Sequence, residues 1–157
     1  MIISWDEYFM GLAKLSALRS KDPNTQVGCC IVSPEKNIVG MGYNGMPQGN
    51  DSFPWKREGG IKNTKYAYVV HAELNAILNS IADLHGCTLY VSLFPCNNCA
   101  KAIIQSGIKR VVYECDKYKD QEEFQISRRM MEECGIELVQ TRELVSLDVH
   151  ISENPEI

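Results

Sequence analysis

The sequence predicts a single three-layer α/β domain built on a mixed sheet, and three observations carry that expectation. From residue 88 onward, strand and helix patterns alternate as strand–helix–strand–helix–strand, which implies parallel pairing with right-handed crossovers. Ahead of them, two apolar runs at 27–32 and 37–43 flank a short polar turn; this is an antiparallel hairpin and makes the sheet mixed. The 157 residues show no internal repeat and no linker, so 1–157 is expected to be one domain, with a core at about 5–140 and a tail at 141–157.

Residues 4–19 are expected to form the first helix. Trp5, Tyr8, Phe9, Leu12, Ala13 and Leu15 recur at three and four and read as a core stripe, while Ser4 and Glu7 fit a capping box. Arg19-Ser20-Lys21-Asp22-Pro23-Asn24 is a turn by its chemistry. The hairpin strands join around Ser33-Pro34-Glu35-Lys36. Gly40, Gly42 and Gly45 crowd the end of its second strand beside Tyr43 and Asn44. Glycines there mark a turn or let a ligand approach the backbone, and composition favours the turn.

From Met46 to about Lys65 no period is sustained, and Pro47, Gly49, Pro54, Gly59 and Gly60 punctuate the stretch. A structureless loop of roughly 20 residues is uncommon in a compact domain and is usually functional or mobile. It carries Lys56, Arg57, Lys62 and Lys65, which fit either a solvated surface or phosphate contacts. Helices at 71–81, 96–106 and about 121–133 then alternate with strands at 88–93, 109–113 and 136–140, with Gly107 and Gly135 as helix stops. Leu144–Leu147 in the tail stays open between helical and extended.

Composition narrows the function classes. Apolar content of 45% with 23% charged residues is that of a soluble globular protein. A net charge of -4 argues against a sequence-independent nucleic-acid binder, which usually shows a basic face. No apolar stretch approaches the roughly 20 residues that span a bilayer, and the first residues lack the pattern of a signal peptide. Cys29, Cys30, Cys87, Cys115 and Cys134 sit in or beside predicted elements as small hydrophobes, which points to a reducing, cytoplasmic setting without disulfides.

The chemistry concentrates in two segments, His71-Ala72-Glu73 and Pro95-Cys96-Asn97-Asn98-Cys99. One imidazole and two thiols are three of the four ligands of tetrahedral zinc, and a site with three protein ligands leaves room for water. Cys96 and Cys99, three apart, share a helix face, and Pro95 suits a helix start. The partial positive charge of a helix N-terminus favours thiolates. If both segments open helices that converge on one ion, Glu73 stands beside the open position and can move a proton. Zinc lowers the pKa of bound water to about 7, so the set suits hydrolysis of a carbon–nitrogen bond. His-x-Glu followed by Pro-Cys-x-x-Cys is the signature of zinc deaminases.

Beyond that signature, Arg19–Asn24, Gly42-Tyr43-Asn44-Gly45-Met46-Pro47, Tyr66, His71–Ile77, Phe94–Lys101, Gln105–Lys109 and Asp116-Lys117-Tyr118 resemble the deoxycytidylate (dCMP) deaminases over about residues 5–140. The resemblance implies a cytidine-deaminase-like α/β/α fold with a five-stranded mixed sheet flanked by helices. It implies conversion of dCMP and water to dUMP and ammonia, supplying dUMP for thymidylate synthesis. His71, Cys96 and Cys99 would bind Zn2+ and Glu73 would shuttle the proton. Asn24 and Tyr118 would contact substrate, and Gly42, Tyr43, Asn44 and Gly45 would belong to a regulatory nucleotide site. It further implies a homohexamer, activation by dCTP with Mg2+ and inhibition by dTTP. Residues 46–70 hold no His or Cys, so the second, structural zinc of some relatives is not expected and one zinc per chain is. Asn79-Ser80-Ile81-Ala82 offers no basic residue for the substrate phosphate, which leaves that partner unassigned. The rival readings are a deaminase of free cytidine or of tRNA adenosine, and a non-catalytic zinc-stabilised module, which would have no need of Glu73.

Overall fold

The computed structural model describes residues 1–157 and shows a five-stranded sheet between helices. In chain order the elements are α1 (Trp5–Ala17), β1 (Gly28–Val32), β2 (Ile38–Tyr43), α2 (Ala72–Asn79), β3 (Thr88–Leu93), α3 (Asn97–Gln105), β4 (Arg110–Cys115), α4 (Glu122–Glu133) and β5 (Glu137–Gln140). The strand order is β2-β1-β3-β4-β5. β1 pairs antiparallel with β2 and with β3, whereas β3–β4 and β4–β5 are parallel. This is the mixed sheet the sequence predicts.

The central strands are apolar on both faces because helices cover both. Successive side chains alternate between two cores. Cys29, Ile31, Leu89, Val91, Val111 and Tyr113 face Ala72 and Ala76 of α2, Ala100 and Ile103 of α3, and Met131 of α4. Cys30, Val32, Tyr90 and Val112 face Phe9, Met10 and Ala13 of α1. α1 thus lies alone on one face. Its capping box forms, with Glu7 N–H donating to Ser4 Oγ at 3.1 Å and Ser4 N–H to Glu7 Oε1 at 2.8 Å.

Two expectations need correction. The buried face of α1 is Phe9, Met10, Ala13 and Ala17, while Trp5, Tyr8 and Leu15 are exposed; Trp5 instead stacks on Phe9 at 5.6 Å. Cys134 is exposed at the end of α4, because the turn at Gly135 (φ 78°) ends the helix before a strand whose side chains are only half covered. The tail forms neither helix nor strand. It is held by Glu114, whose Oε2 accepts from Val145 N–H at 3.1 Å while its Oε1 pairs with Lys14 Nζ at 2.7 Å.

The long loop is more built than its composition predicts. Three single-turn 3₁₀ helices, Pro47–Gly49, Ile61–Asn63 and Lys65–Ala67, punctuate it. Its ends are clamped by a two-way bridge between Gly45 and Val70 at 3.0 and 2.8 Å, and Phe53 stacks on Tyr68 at 4.9 Å. No helix is long and apolar enough to cross a membrane.

Candidate active site

The two motifs meet at the N-terminal tips of α2 and α3. His71 is the N-cap of α2 and Cys96 the N-cap of α3, and neither side chain makes the usual capping bond to its helix. Both are left free to point at each other. His71 Nδ1 lies 3.4 Å from Cys96 Sγ and 3.5 Å from Cys99 Sγ, and all three donor atoms fall within 4.8 Å of one another. With Zn–S near ~2.3 Å and Zn–N near ~2.05 Å, a tetrahedral angle puts sulfur and nitrogen ~3.6 Å apart. The three side chains fit zinc. Pro95 stands one residue earlier than expected, ahead of the cap. It is fully buried, and its carbonyl accepts from Ser127 Oγ of α4 at 2.7 Å, which fixes the turn that carries both thiols.

The donor set is poised electrostatically. The hydrogen bond from Cys99, and then that from His71, hold the Cys96 thiol down to about 4 against the opposing effect of burial. His71 is raised to about 9, chiefly by its hydrogen bond to Cys96. Cys99 keeps its proton more tightly, because it donates to Cys96 and is buried. Of the two thiols, Cys96 is the one favoured as thiolate, the form that binds metal.

Glu73 sits in the first turn of α2, only 4% exposed. Burial raises its pKa; the His71 charge opposes this and the Cys96 charge adds to it. A carboxyl so placed exchanges protons nearer neutrality than a surface glutamate does. His71, Glu73 and Cys96 line one cavity of about 600 Å³, with Asn97, Tyr118 and Phe124 on its walls.

The back of this cavity explains the Gly42–Gly45 segment. Gly42 lies within β2, where a Cβ would overlap the Ala72 carbonyl oxygen and lie 2.5 Å from the Ala76 nitrogen. Glycine here lets α2 lie directly on the strand. The Tyr43 carbonyl accepts from Asn75 Nδ2 at 2.9 Å, and that amide also reaches the Val70 carbonyl at 3.3 Å. Asn44 is buried and itself lines the cavity. Its Oδ1 accepts from Val27 N–H at 2.8 Å and its Nδ2 donates to the Thr25 carbonyl at 2.9 Å. Gly42 and Tyr43 thus brace α2 while Asn44 and Gly45 tie the neighbouring loops, and at Gly42 the turn reading gives way to close packing of backbone on backbone. Gly42→Ala is expected to destabilise the fold by at least ~1–3 kcal/mol. Because the displaced helix carries His71, zinc content should fall with it; thermal unfolding and metal analysis of the purified variant check both.

Tyr118 lies on the cavity wall, its ring 5.3 Å from that of Phe124. Asn24 is exposed and borders a smaller adjoining hollow with Trp55 and Arg57, outside the main cavity's lining. Of the loop cations, Lys65 is no surface residue: it is buried, and its Nζ lies 2.6 Å from Asp22 Oδ2. Asp22 Oδ1 also accepts from Asn24 N–H at 2.9 Å and Thr25 N–H at 3.2 Å, an Asx turn that shapes one wall. Sequence reasoning missed the Asp22–Lys65 pair, Asn75 and Ser127. Only Asn75 left a signal, as a polar residue inside the apolar run Leu74–Ile77, four after His71 on the same helix face.

A mixed five-stranded sheet that brings a His-x-Glu helix and a Pro-Cys-x-x-Cys helix tip to tip is the architecture of zinc-dependent deaminases. The chain belongs to the cytidine and deoxycytidylate deaminase family, whose zinc-binding region matches residues 3–115. The Homo sapiens protein named deoxycytidylate deaminase is 56% identical over 138 residues, covering 85% of this chain and 78% of that one. The crystal structure of dCMP deaminase from the cyanophage S-TIM5 in apo form resembles it with a TM-score of 0.69 at 25% identity, over 90% of this chain and 100% of that one. The same phage enzyme in complex with dCMP and dUMP gives a TM-score of 0.70 at 24% identity, over 90% and 99% of the two chains, a likeness of fold.

Proposed function

We propose that this chain catalyses the hydrolytic deamination of dCMP to dUMP and ammonia, and so supplies dUMP for thymidylate synthesis. The observation that carries the chemistry is a buried glutamate, Glu73, in one cavity with His71 and Cys96 of the His71–Cys96–Cys99 donor set. The 56% identity to the human protein of that name supports the nucleotide-level substrate. The cavity, about 600 Å³, falls within the roughly 300–1,000 Å³ usual for small-molecule sites.

His71, Cys96 and Cys99 would hold one zinc per chain. When bound, zinc supplies the Lewis acidity that makes water a nucleophile near neutral pH. Glu73 takes the proton from the water that adds to C4 of the cytosine ring, and returns a proton to the amino nitrogen as the C4–N bond breaks. The walls of the cavity hold the ring and limit access of bulk water, and Tyr118, on one wall, would contact the nucleotide. Asn24, on the rim beyond, would reach substrate only through the adjoining hollow.

Regulation is a further part of this proposal, resting on the resemblance: activation by dCTP with Mg2+, inhibition by dTTP, and a homohexamer in the cytoplasm. Its support is the contact of Gly42 and Tyr43 with α2, which couples that end of β2 to the helix that His71 caps and that bears Glu73. Sigmoidal dCMP kinetics that turn hyperbolic with dCTP are expected; hyperbolic kinetics indifferent to both nucleotides would remove this part.

The function is tested by ammonia release from dCMP, deoxycytidine, dCTP and tRNA offered side by side. Turnover of dCMP is expected, lost on chelation and restored by zinc. Turnover of deoxycytidine alone would keep the chemistry and overturn the nucleotide assignment, and tRNA turnover would replace it.

A further inference from the structure

We infer that Arg57 binds the phosphate of the substrate and thereby makes the site selective for a nucleoside monophosphate over the free nucleoside. The inference rests on the proposed dCMP deamination and assigns the phosphate partner that the segment after α2 does not provide.

A pyrimidine nucleotide placed with its ring at Glu73 brings a phosphate with up to two negative charges into a cavity already lined by Asp22, Glu73 and Glu123. Two cations line that cavity, Arg57 and Lys65. Lys65 is spent. Its Nζ is 2.6 Å from Asp22 Oδ2, and the two side chains are 10% and 1% exposed, so the pair is sealed and presents no net charge to a ligand. Arg57 forms no ion pair and no hydrogen bond within the chain, and its side chain is exposed at the mouth. Its position is nevertheless built. The preceding residue, Lys56, gives its carbonyl to the Lys65 N–H at 2.8 Å, which ties this stretch of loop to the buried ion pair.

Arg57 is also the one residue that borders both the main cavity and the smaller hollow of about 370 Å³ beside it. That hollow adds donors suited to an anion, the side chains of Asn24 and Lys56. Glu58 on its rim opposes the anion, so the countercharge falls to the two cations, of which only Arg57 reaches the main cavity. A guanidinium offers a planar fork of donors matched to two phosphate oxygens, which an ammonium cannot reproduce. The loop read as either solvated surface or phosphate contact is therefore both: Lys62 is surface, Lys65 is structural, and Arg57 meets the ligand.

The test compares wild type with Arg57→Gln and Arg57→Lys, each checked for zinc content and thermal unfolding. In Arg57→Gln the KM for dCMP is expected to rise about 10–100-fold, the effect of one charge-assisted hydrogen bond, with kcat changed far less. Arg57→Lys should recover part of the loss. Inorganic phosphate, as a competitive inhibitor, should weaken by a similar factor in Arg57→Gln, and the preference for dCMP over deoxycytidine should narrow. If wild type turns over dCMP and Arg57→Gln keeps its KM and its phosphate inhibition, the assignment of Arg57 is overturned while the reaction stands. If wild type does not turn over dCMP at all, the underlying reading fails first. Should Arg57→Gln unfold, Arg57→Met, which also removes the charge, with an unchanged KM and unchanged phosphate inhibition would overturn the assignment equally.

Discussion

Glu73→Gln is expected to fold and to hold zinc as the parent does, yet to lose dCMP turnover by about 10²–10⁴-fold, the usual contribution of a positioned general acid–base. Glutamine is nearly isosteric with glutamate, so the packing of the first turn of α2 against β2 is kept. It also removes a carboxyl that burial disfavours in its charged form, so the variant should be no less stable than wild type. What it cannot do is accept a proton. The three zinc donors come from His71, Cys96 and Cys99 and none from Glu73, so the substitution leaves all three in place. Metal content and melting temperature measured beside kcat separate these outcomes. A Glu73→Gln protein with full turnover would remove Glu73 from the chemistry; one without zinc would make it part of the metal site instead.

Lys65→Met is expected to be the most destabilising single change outside the central core, by roughly 3–5 kcal/mol, the cost of leaving one member of a buried ion pair uncompensated. Asp22 is held by Lys65 at 2.6 Å, by Asn44 Nδ2 at 3.3 Å and by two backbone N–H groups, and its side chain is only 1% exposed. Without the ammonium its charge has no buried countercharge. Pairing Lys65→Met with Asp22→Asn should recover much of the loss, because both charges then leave together and the amide can still accept through Oδ1. Denaturant unfolding of the two single variants and the double variant measures the coupling. Additive losses would mean that the two side chains act independently, against the geometry.

The contrast between these two sites shows what could be read in the chain beforehand. His71, Glu73, Cys96 and Cys99 were legible because metal chemistry demands particular residue types at fixed local spacings, and each motif lies within one helical turn. The strands were legible because burial on both faces makes β1 and the middles of β3 and β4 apolar, and α3 and α4 end at glycines with φ of 87° and 78°. The Asp22–Lys65 pair joins residues 43 apart through a loop without periodicity, and a lysine destined for burial looks in sequence like any surface lysine. The packing role of Gly42 is not legible in its neighbourhood. In sequence a glycine beside Tyr43-Asn44-Gly45 looks like a turn, whereas its function depends on α2, a helix that begins thirty residues later and whose backbone needs the space. The buried face of α1 was blurred for a related reason: Trp5 and Tyr8 fit the helical period but are exposed, and burial runs along Phe9, Met10 and Ala13.

The most direct test of the central claim is to run the reaction in heavy-oxygen water with dCMP and weigh the product. Hydrolytic deamination at the His71–Cys96–Cys99 site predicts dUMP carrying one heavy oxygen on its ring and one ammonia released for each dUMP formed, both abolished by zinc chelation. Product without the heavy label, or the same yield from chelated protein, would contradict it.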